Sequence, residues 1–329
     1  MRGVMGMTML VTGGAGFIGS NFIRHMLAEH PETPIVNLDA LTYAGNPESL
    51  RDVVDNPNYT FVHGDICDSG AVAAVFSRHK IDTVVHFAAE SHVDRSIADG
   101  STFVRTNVLG TFTLLDYAQK HGVRRFIHVS TDEVYGSTPA GSFTETDNLN
   151  PSSPYSSSKA GSDLLARSFF ITHGFPVIVT RCTNNYGPYQ FPEKLIPLFA
   201  TNLLEGKKVP VYGSGKNIRD WLYVLDHCRA IDFVLNHGEP GEVYNIGGGA
   251  EKTNLEITAK ILELLGKDES MIEHVPDRKG HDFRYSLDFG KLRALGWTPA
   301  YNFDDALAAT VAWYAENGWW WQPLKGRSP

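Results

Sequence analysis

Tyr155 and Lys159 stand four residues apart in Pro154-Tyr155-Ser156-Ser157-Ser158-Lys159, shortly after Asn150-Pro151. On a helix that spacing puts both side chains on one face, about 5–6 Å apart at Cβ. A neighbouring ammonium stabilises phenolate, so Tyr155 is expected to have a lowered pKa and to serve as a base. A second group lies in Ser130-Thr131-Asp132-Glu133-Val134-Tyr135-Gly136, directly after an apolar run ending at Val129. In a continuing strand Asp132 and Glu133 would point to opposite faces. Capping of a short helical turn by Ser130 or Thr131 would instead bring both carboxyls to one cavity. Two adjacent carboxyls in a partly dry pocket resist double ionisation, which leaves an acid beside a base.

A third signal is Thr12-Gly13-Gly14-Ala15-Gly16-Phe17-Ile18-Gly19, between an apolar run and an amphipathic stretch. Gly13, Gly16 and Gly19 permit a tight turn and a close backbone approach to a pyrophosphate, whose charge a helix N-terminus favours. Asp39 closes the next apolar run, where a carboxylate accepts ribose hydroxyls and repels a 2′-phosphate. No Arg or Lys follows, since Ala40-Leu41-Thr42-Tyr43 comes next, so NAD is expected rather than NADP. Asp65-Ile66 is expected beside the adenine, and Ala88-Ala89-Glu90-Ser91-His92 beside the centre of the cofactor.

These residues need a frame. Met9–Val11, Ile35–Leu38, Tyr59–Val62, Thr83–Phe87, Arg125–Val129 and Val177–Arg181 read as buried strands. Helical stretches at 20–29, 71–79 and 106–121 alternate with them, which implies an α/β, Rossmann-type doubly wound parallel sheet. Beyond Tyr186, prolines and glycines break the pattern, and helices follow at 254–265 and 304–316. The expected division is a cofactor domain over 8–185 and a smaller substrate-binding domain over 186–329, with Val243–Ile246 a candidate to rejoin the main sheet.

The chain has 329 residues, 42% hydrophobic and 20% charged, which suits a globular protein with a sizeable core. Its net charge of -8 argues against nucleic-acid or acidic-membrane partners. Cys67, Cys182 and Cys228 are far apart, so neither a disulfide framework nor a metal site is expected, and the thiols read as buried or incidental. The short opening before Thr12 does not read as a signal peptide, and a cytoplasmic location is expected. Trp319-Trp320-Trp321 reads as packing.

Together these runs resemble the extended short-chain dehydrogenase/reductase family, in its nucleotide-sugar-modifying branch, over essentially the whole chain. Glu90-Ser91-His92-Val93-Asp94-Arg95-Ser96, Asn184-Asn185-Tyr186-Gly187-Pro188-Tyr189 and Asp277-Arg278-Lys279-Gly280-His281-Asp282 add to the likeness. The most specific run is Thr131-Asp132-Glu133, because epimerase relatives carry small or hydroxyl residues there. The resemblance implies redox-neutral dehydration of dTDP-glucose to dTDP-4-keto-6-deoxyglucose, through C4 oxidation, water loss across C5 and C6, and C6 reduction. It casts Tyr155 as base at the 4-hydroxyl with Thr131 holding that group, Lys159 on the nicotinamide ribose, Glu133 as base at C5 and Asp132 as acid at O6. It extends the NAD contacts to Thr106 and Asn185. For the nucleotide sugar it implies Ser91, His92, Asn184, Lys194, Leu195, Pro210, Tyr212, Arg219, Asn254, Arg278, His281 and Tyr285. It implies a homodimer through helices around 106–121 and 155–173, with Leu114-Leu115 and Phe169-Phe170 either as apolar surface for that contact or as residues facing the chain's own sheet. A nucleotide-sugar 4-epimerase, a dehydratase of another nucleotide and a non-catalytic NAD sensor are the competing readings.

Overall fold

The computed structural model describes residues 8–277 and 282–325. Apolar, β-branched runs form β1 (Thr8–Thr12), β2 (Ile35–Asp39), β3 (Tyr59–His63), β4 (Ile81–His86), β5 (Arg125–Thr131) and β6 (Val177–Cys182). The chain then leaves the sheet through β7 (Asn184–Tyr186), β8 (Val209–Tyr212) and β9 (Ile218–Tyr223), and returns as β10 (Val243–Ile246). The order β10-β6-β5-β4-β1-β2-β3 makes a sheet of seven strands, parallel throughout. The direction of winding reverses beside β1, and in such sheets ligands bind at that switch point, outside the strand C-termini.

Helices cover both faces. Helix α1 (Phe17–Glu29) lies on one face, and α2 (Ser69–Arg78) on the other. After the short α3 (Val93–Ala98) and α4 (Ser101–Phe103), α5 (Thr111–Lys120) and α6 (Pro154–His173) join α2. Ser153 caps α6 through a reciprocal pair of bonds with Ser156, and Pro154 fits its first turn. Beyond α7 (Leu195–Leu204), α8 (Val224–His237) packs beside α1. Leu10, Val84, Phe126 and Val177 face α2, α5 and α6, whereas Val11, Val85, Ile127 and Ile178 face the α1 and α8 layer. Each such side chain contributes about 1.5–3 kcal/mol by leaving water.

The α1-side core runs on without a break into the second half of the chain. There β11 (Glu251–Thr253) joins β9 and β7, and β12 (Ile272–Val275) pairs with β8. Helix α9 (Asn254–Leu264), the short α10 (Gly290–Ala294), α11 (Phe303–Glu316) and α12 (Gly318–Lys325) complete it. Trp320 and Trp321 are buried in that core, while Trp319 remains exposed.

Two expectations change, and an alternative left open by the sequence is decided. Strand β3 is not buried: Thr60, Phe61 and His63 are exposed, because β3 ends the sheet. The helix expected over 106–121 begins with a widened π turn, Val104–Gly110, before α5. That turn lets the Asn107 amide donate to the Glu90 carbonyl and to Ser158 Oγ, and lets its Oδ1 accept the Glu90 N–H. Leu114, Leu115 and Phe169 face the chain's own sheet; the exposed apolar residues of these helices are Leu109, Phe112, Leu164, Phe170 and Ile171.

Candidate active site

A cavity of about 680 Å³ opens along the C-terminal ends of β1, β2, β4, β5 and β6 and reaches into the second half of the chain. Its first wall is the glycine turn. Gly13 adopts φ +71°, and a Cβ there would stand 2.7 Å from the Ala88 backbone. A Cβ on Gly19 would stand 2.3 Å from the Gly13 carbonyl. These close approaches leave room above the α1 N-terminus, where Gly16, Phe17 and Ile18 line the cavity. Asp39 ends β2 against the same turn, and its carboxylate accepts the Ala15 and Leu41 N–H groups, each at 2.8 Å. Burial pushes Asp39 up, and those two N–H groups pull it back. Thr42, Asp65, Ile66, Ala88, Ala89, Ser91 and Thr106 continue the lining; Leu41 does not reach it and instead fixes Asp39.

The catalytic candidates meet on the opposite wall. Strand β5 stops at Thr131, whose hydroxyl accepts the Glu133 N–H at 3.3 Å and so starts the short turn Asp132–Tyr135. Of the two arrangements open in the sequence, the capped turn is the one adopted. Asp132 and Glu133 both line the cavity, together with Tyr155 and Lys159 from α6. Burial first, and the Glu133 charge second, hold the Asp132 carboxyl well above the usual range. One site therefore sets a carboxyl that holds its proton more strongly than usual beside a second carboxyl group.

Tyr155 departs from expectation. Burial, then the Glu133 charge, holds its hydroxyl well above the ordinary phenol range, against a contact with Thr131 that favours phenolate. The Lys159 Nζ donates to the Val129 carbonyl at 2.7 Å, and burial pushes its pKa down to about 8. A cationic ring bound beside Tyr155 would favour its phenolate.

The sugar-side candidates converge from several elements. Ser91, His92, Asn184, Asn185, Lys194, Leu195, Pro210, Tyr212, Arg219, Asn254 and Tyr285 all line the cavity. The Arg219 Nη1 donates to the Ile218 and Phe283 carbonyls and its Nη2 to that of Asp282. Its guanidinium also stacks on the Tyr285 ring, 4.4 Å from the centroid. Arg278 and His281 lie outside the described residues.

Sequence reasoning missed two features. Cys182, read as buried or incidental but not as part of the site, ends β6 on the cavity lining, where burial pushes its thiol up to about 12. Its place at a strand C-terminus was the available signal. Tyr43 donates to Glu193 Oε1 at 2.9 Å while the Arg95 guanidinium lies 3.4 Å above the Tyr43 ring. This clamp joins two loops and the short helix α3, far apart in sequence.

The residues fit a dinucleotide and a polar ligand. Besides the glycine turn and Asp39, Ser130 Oγ, Asp132 Oδ2, Thr183 Oγ1, Asn184 Oδ1, Gln190 Oε1 and Trp221 Nε1 are buried on this lining with no hydrogen-bond partner among the described residues. Buried polar atoms are seldom left unpaired, so each points to a group supplied by a ligand. A Rossmann sheet whose cavity joins a Tyr–Lys pair to two adjacent acids defines the nucleotide-sugar-modifying class of extended short-chain dehydrogenases/reductases.

Comparison with known proteins places the chain within that class. The family model for GDP-mannose 4,6 dehydratase matches residues 10–310, and the chain belongs to this family of 4,6-dehydratases. It is 56% identical to a dTDP-glucose 4,6-dehydratase of Streptomyces niveus, covering 97% of this chain and 96% of that one. It is 50% identical to dTDP-glucose 4,6-dehydratase 1 of Escherichia coli K12, at coverages of 97% and 96%. The structure of the dTDP-glucose 4,6-dehydratase DesIV from Streptomyces venezuelae, with NAD bound, superposes at a TM-score of 0.94 with 57% identity, covering 97% of this chain and all of that one. A UDP-glucose 4-epimerase of Thermus thermophilus in complex with NAD superposes at 0.88 with 31% identity, over 94% of this chain and 100% of the other. No described helix is long and apolar enough to cross a membrane.

Proposed function

We propose that the chain dehydrates dTDP-glucose to dTDP-4-keto-6-deoxyglucose with bound NAD, in a reaction that is redox-neutral overall. The observation that carries this reading is the placement of Asp132 and Glu133 in one cavity with Tyr155. An epimerase has no use for an acid at C6 or a base at C5.

Gly13, Gly16 and Gly19 would hold the NAD pyrophosphate, Asp39 its adenosine ribose, and Lys159 its nicotinamide ribose. When bound, the dinucleotide supplies the oxidant for C4 and the reductant for C6, ending each turnover as it began. Tyr155 takes the proton from the 4-hydroxyl, which Thr131 helps to position. The resulting 4-ketone acidifies C5–H, and Glu133 removes that proton as general base. Asp132, held neutral, donates to O6 so that water departs, and Glu133 then returns its proton to C5. Asp132 Oδ2, buried and without a partner among the described residues, is the atom we assign to face O6.

Residues 8–185 act in this scheme mainly on the cofactor and residues 186–329 mainly on the nucleotide, with β10 and α8 given back to the first layer. A second copy of the chain is the occupant we assign to the apolar face formed by Leu109, Phe112, Leu164, Phe170 and Ile171, which lies on the helices expected to pair. Light scattering reads its mass; Ile171→Glu should yield the mass of one chain, and an unchanged dimer would remove this face from the interface.

The decisive test incubates purified protein with dTDP-glucose and no added reductant. The alkali-labile chromophore of a 4-keto sugar is the expected product. Formation of dTDP-galactose would replace this reading with epimerisation, and inactivity toward several nucleotide sugars would favour a sensor.

A further inference from the structure

Proton balance in the proposed reaction leaves two groups out of step. Tyr155 gains the O4 proton, which the 4-keto product does not take back. Asp132 loses the proton that leaves in water, while Glu133 only borrows the C5 proton and restores it. One turnover therefore leaves Tyr155 one proton richer and Asp132 one poorer. The next turnover requires the reverse.

The Thr131 hydroxyl lies between the two. Its O–H donates to Asp132 Oδ1 at 3.1 Å, and the same Thr131 side chain is the hydrogen-bonding neighbour of the Tyr155 hydroxyl in the shared cavity. Thr131, Asp132 and Tyr155 are 8%, 3% and 8% exposed, so a filled cavity leaves bulk water little access to either acid. Resting on the dehydratase reading, we infer that Thr131 is a proton relay that resets the site by carrying the proton from Tyr155 to Asp132. In this step the Tyr155 O–H bond breaks as a bond to Thr131 Oγ1 forms. Thr131's own O–H bond breaks as a bond to Asp132 Oδ1 forms. No redox change and no other reactant is involved. The step ends the juxtaposition of two ionised carboxylates at 132 and 133. Rotation of the Asp132 carboxyl, whose torsion is broad and twofold, then presents the proton at the other oxygen.

Thr131 also caps the turn, so its relay and capping roles need separate variants. Thr131→Val removes both. Thr131→Asn keeps a good capping acceptor without a hydroxyl proton, and Thr131→Ser keeps both functions. In rapid-mix experiments on the NAD-loaded protein with dTDP-glucose, Val and Asn variants should release a burst of one product per site. Steady turnover should follow at a rate about 10-fold or more below the first turnover. The Ser variant should show no such burst. Infrared difference spectra should show the protonated-carboxyl band lost after one turnover and slow to return in the Val and Asn variants, but prompt in Ser. Equal slowing of first and later turnovers, with prompt recovery of the band, would overturn the relay while leaving the dehydratase reading intact. Failure of the parent protein to act on dTDP-glucose would overturn that reading and the relay with it.

Discussion

Asp163→Asn tests how the catalytic turn is held. Arg181 on β6 and Asp163 on α6 are 1% and 0% exposed in their side chains and form a two-pronged pair, Nε to Oδ2 at 2.8 Å and Nη2 to Oδ1 at 2.9 Å. The Arg181 Nη1 also donates to the Tyr135 hydroxyl at 2.6 Å, which in turn donates to Asn245 Oδ1 on β10 at 2.9 Å. Tyr135 ends the turn that carries Asp132 and Glu133, so the pair fastens that turn to the sheet and to the Tyr155 helix. The amide variant strands a buried guanidinium without its counter-charge, at a cost of about 3–5 kcal/mol. Total stability is on the order of 5–15 kcal/mol, so this is a large share of it. With a urea slope of about 3 kcal/mol/M, the unfolding midpoint should fall by about 1–1.7 M. Replacing the pair together, Asp163→Leu with Arg181→Met, should recover much of that loss, since exchanging a whole buried ion pair for apolar groups is often close to neutral. A single variant within about 1 kcal/mol of the parent, or a double variant less stable than the single one, would refute the reasoning.

Glu133→Gln and Asp132→Asn should still oxidise C4 but stall before elimination, slowing turnover by about 10²–10⁴-fold. Reduced-nicotinamide absorbance should then accumulate on mixing with substrate, and normal turnover by Glu133→Gln would end its assignment as base. Gly13→Ala forces a Cβ to within 2.7 Å of the Ala88 backbone at φ +71°, so the purified variant should lose most of its bound NAD, read by mass spectrometry; full retention would contradict the tight-turn argument. His86 and His227 are buried with pKa values pushed down to about 3 by desolvation. The unfolded chain takes up protons near pH 6.5 that the folded chain refuses. Stability should therefore be undiminished by these groups above pH 6.5. It should fall between about pH 6.5 and 3 by up to about 1.4 kcal/mol per pH unit for each histidine. Thermal unfolding across that range checks it, and a flat profile would show that these rings protonate in place.

Much of the site could be read in the sequence because its signals are local. The glycine turn lies between a strand and a helix, Asp39 closes the following strand, and Tyr155 and Lys159 share one helical face; each depends on backbone geometry over a few residues. The alternation of apolar runs with amphipathic stretches likewise specified a parallel sheet, since doubly covered strands need continuous apolar sequence. Tertiary contacts decided what remained. Only packing chose the capped turn over a continuing strand at Asp132-Glu133, because both arrangements satisfy the local chain. The position of β3 at the sheet edge exposed residues that its composition marked as buried. Leu114, Leu115 and Phe169 turned inward because helix faces are set by the sheet beneath them. The proton affinity of Tyr155 followed from burial and from the carboxylate at 133, that of Lys159 from burial, and Cys182 entered the site through the end of β6. Burial and long-range charge depend on which distant segments meet, and spacing along the chain does not encode that meeting.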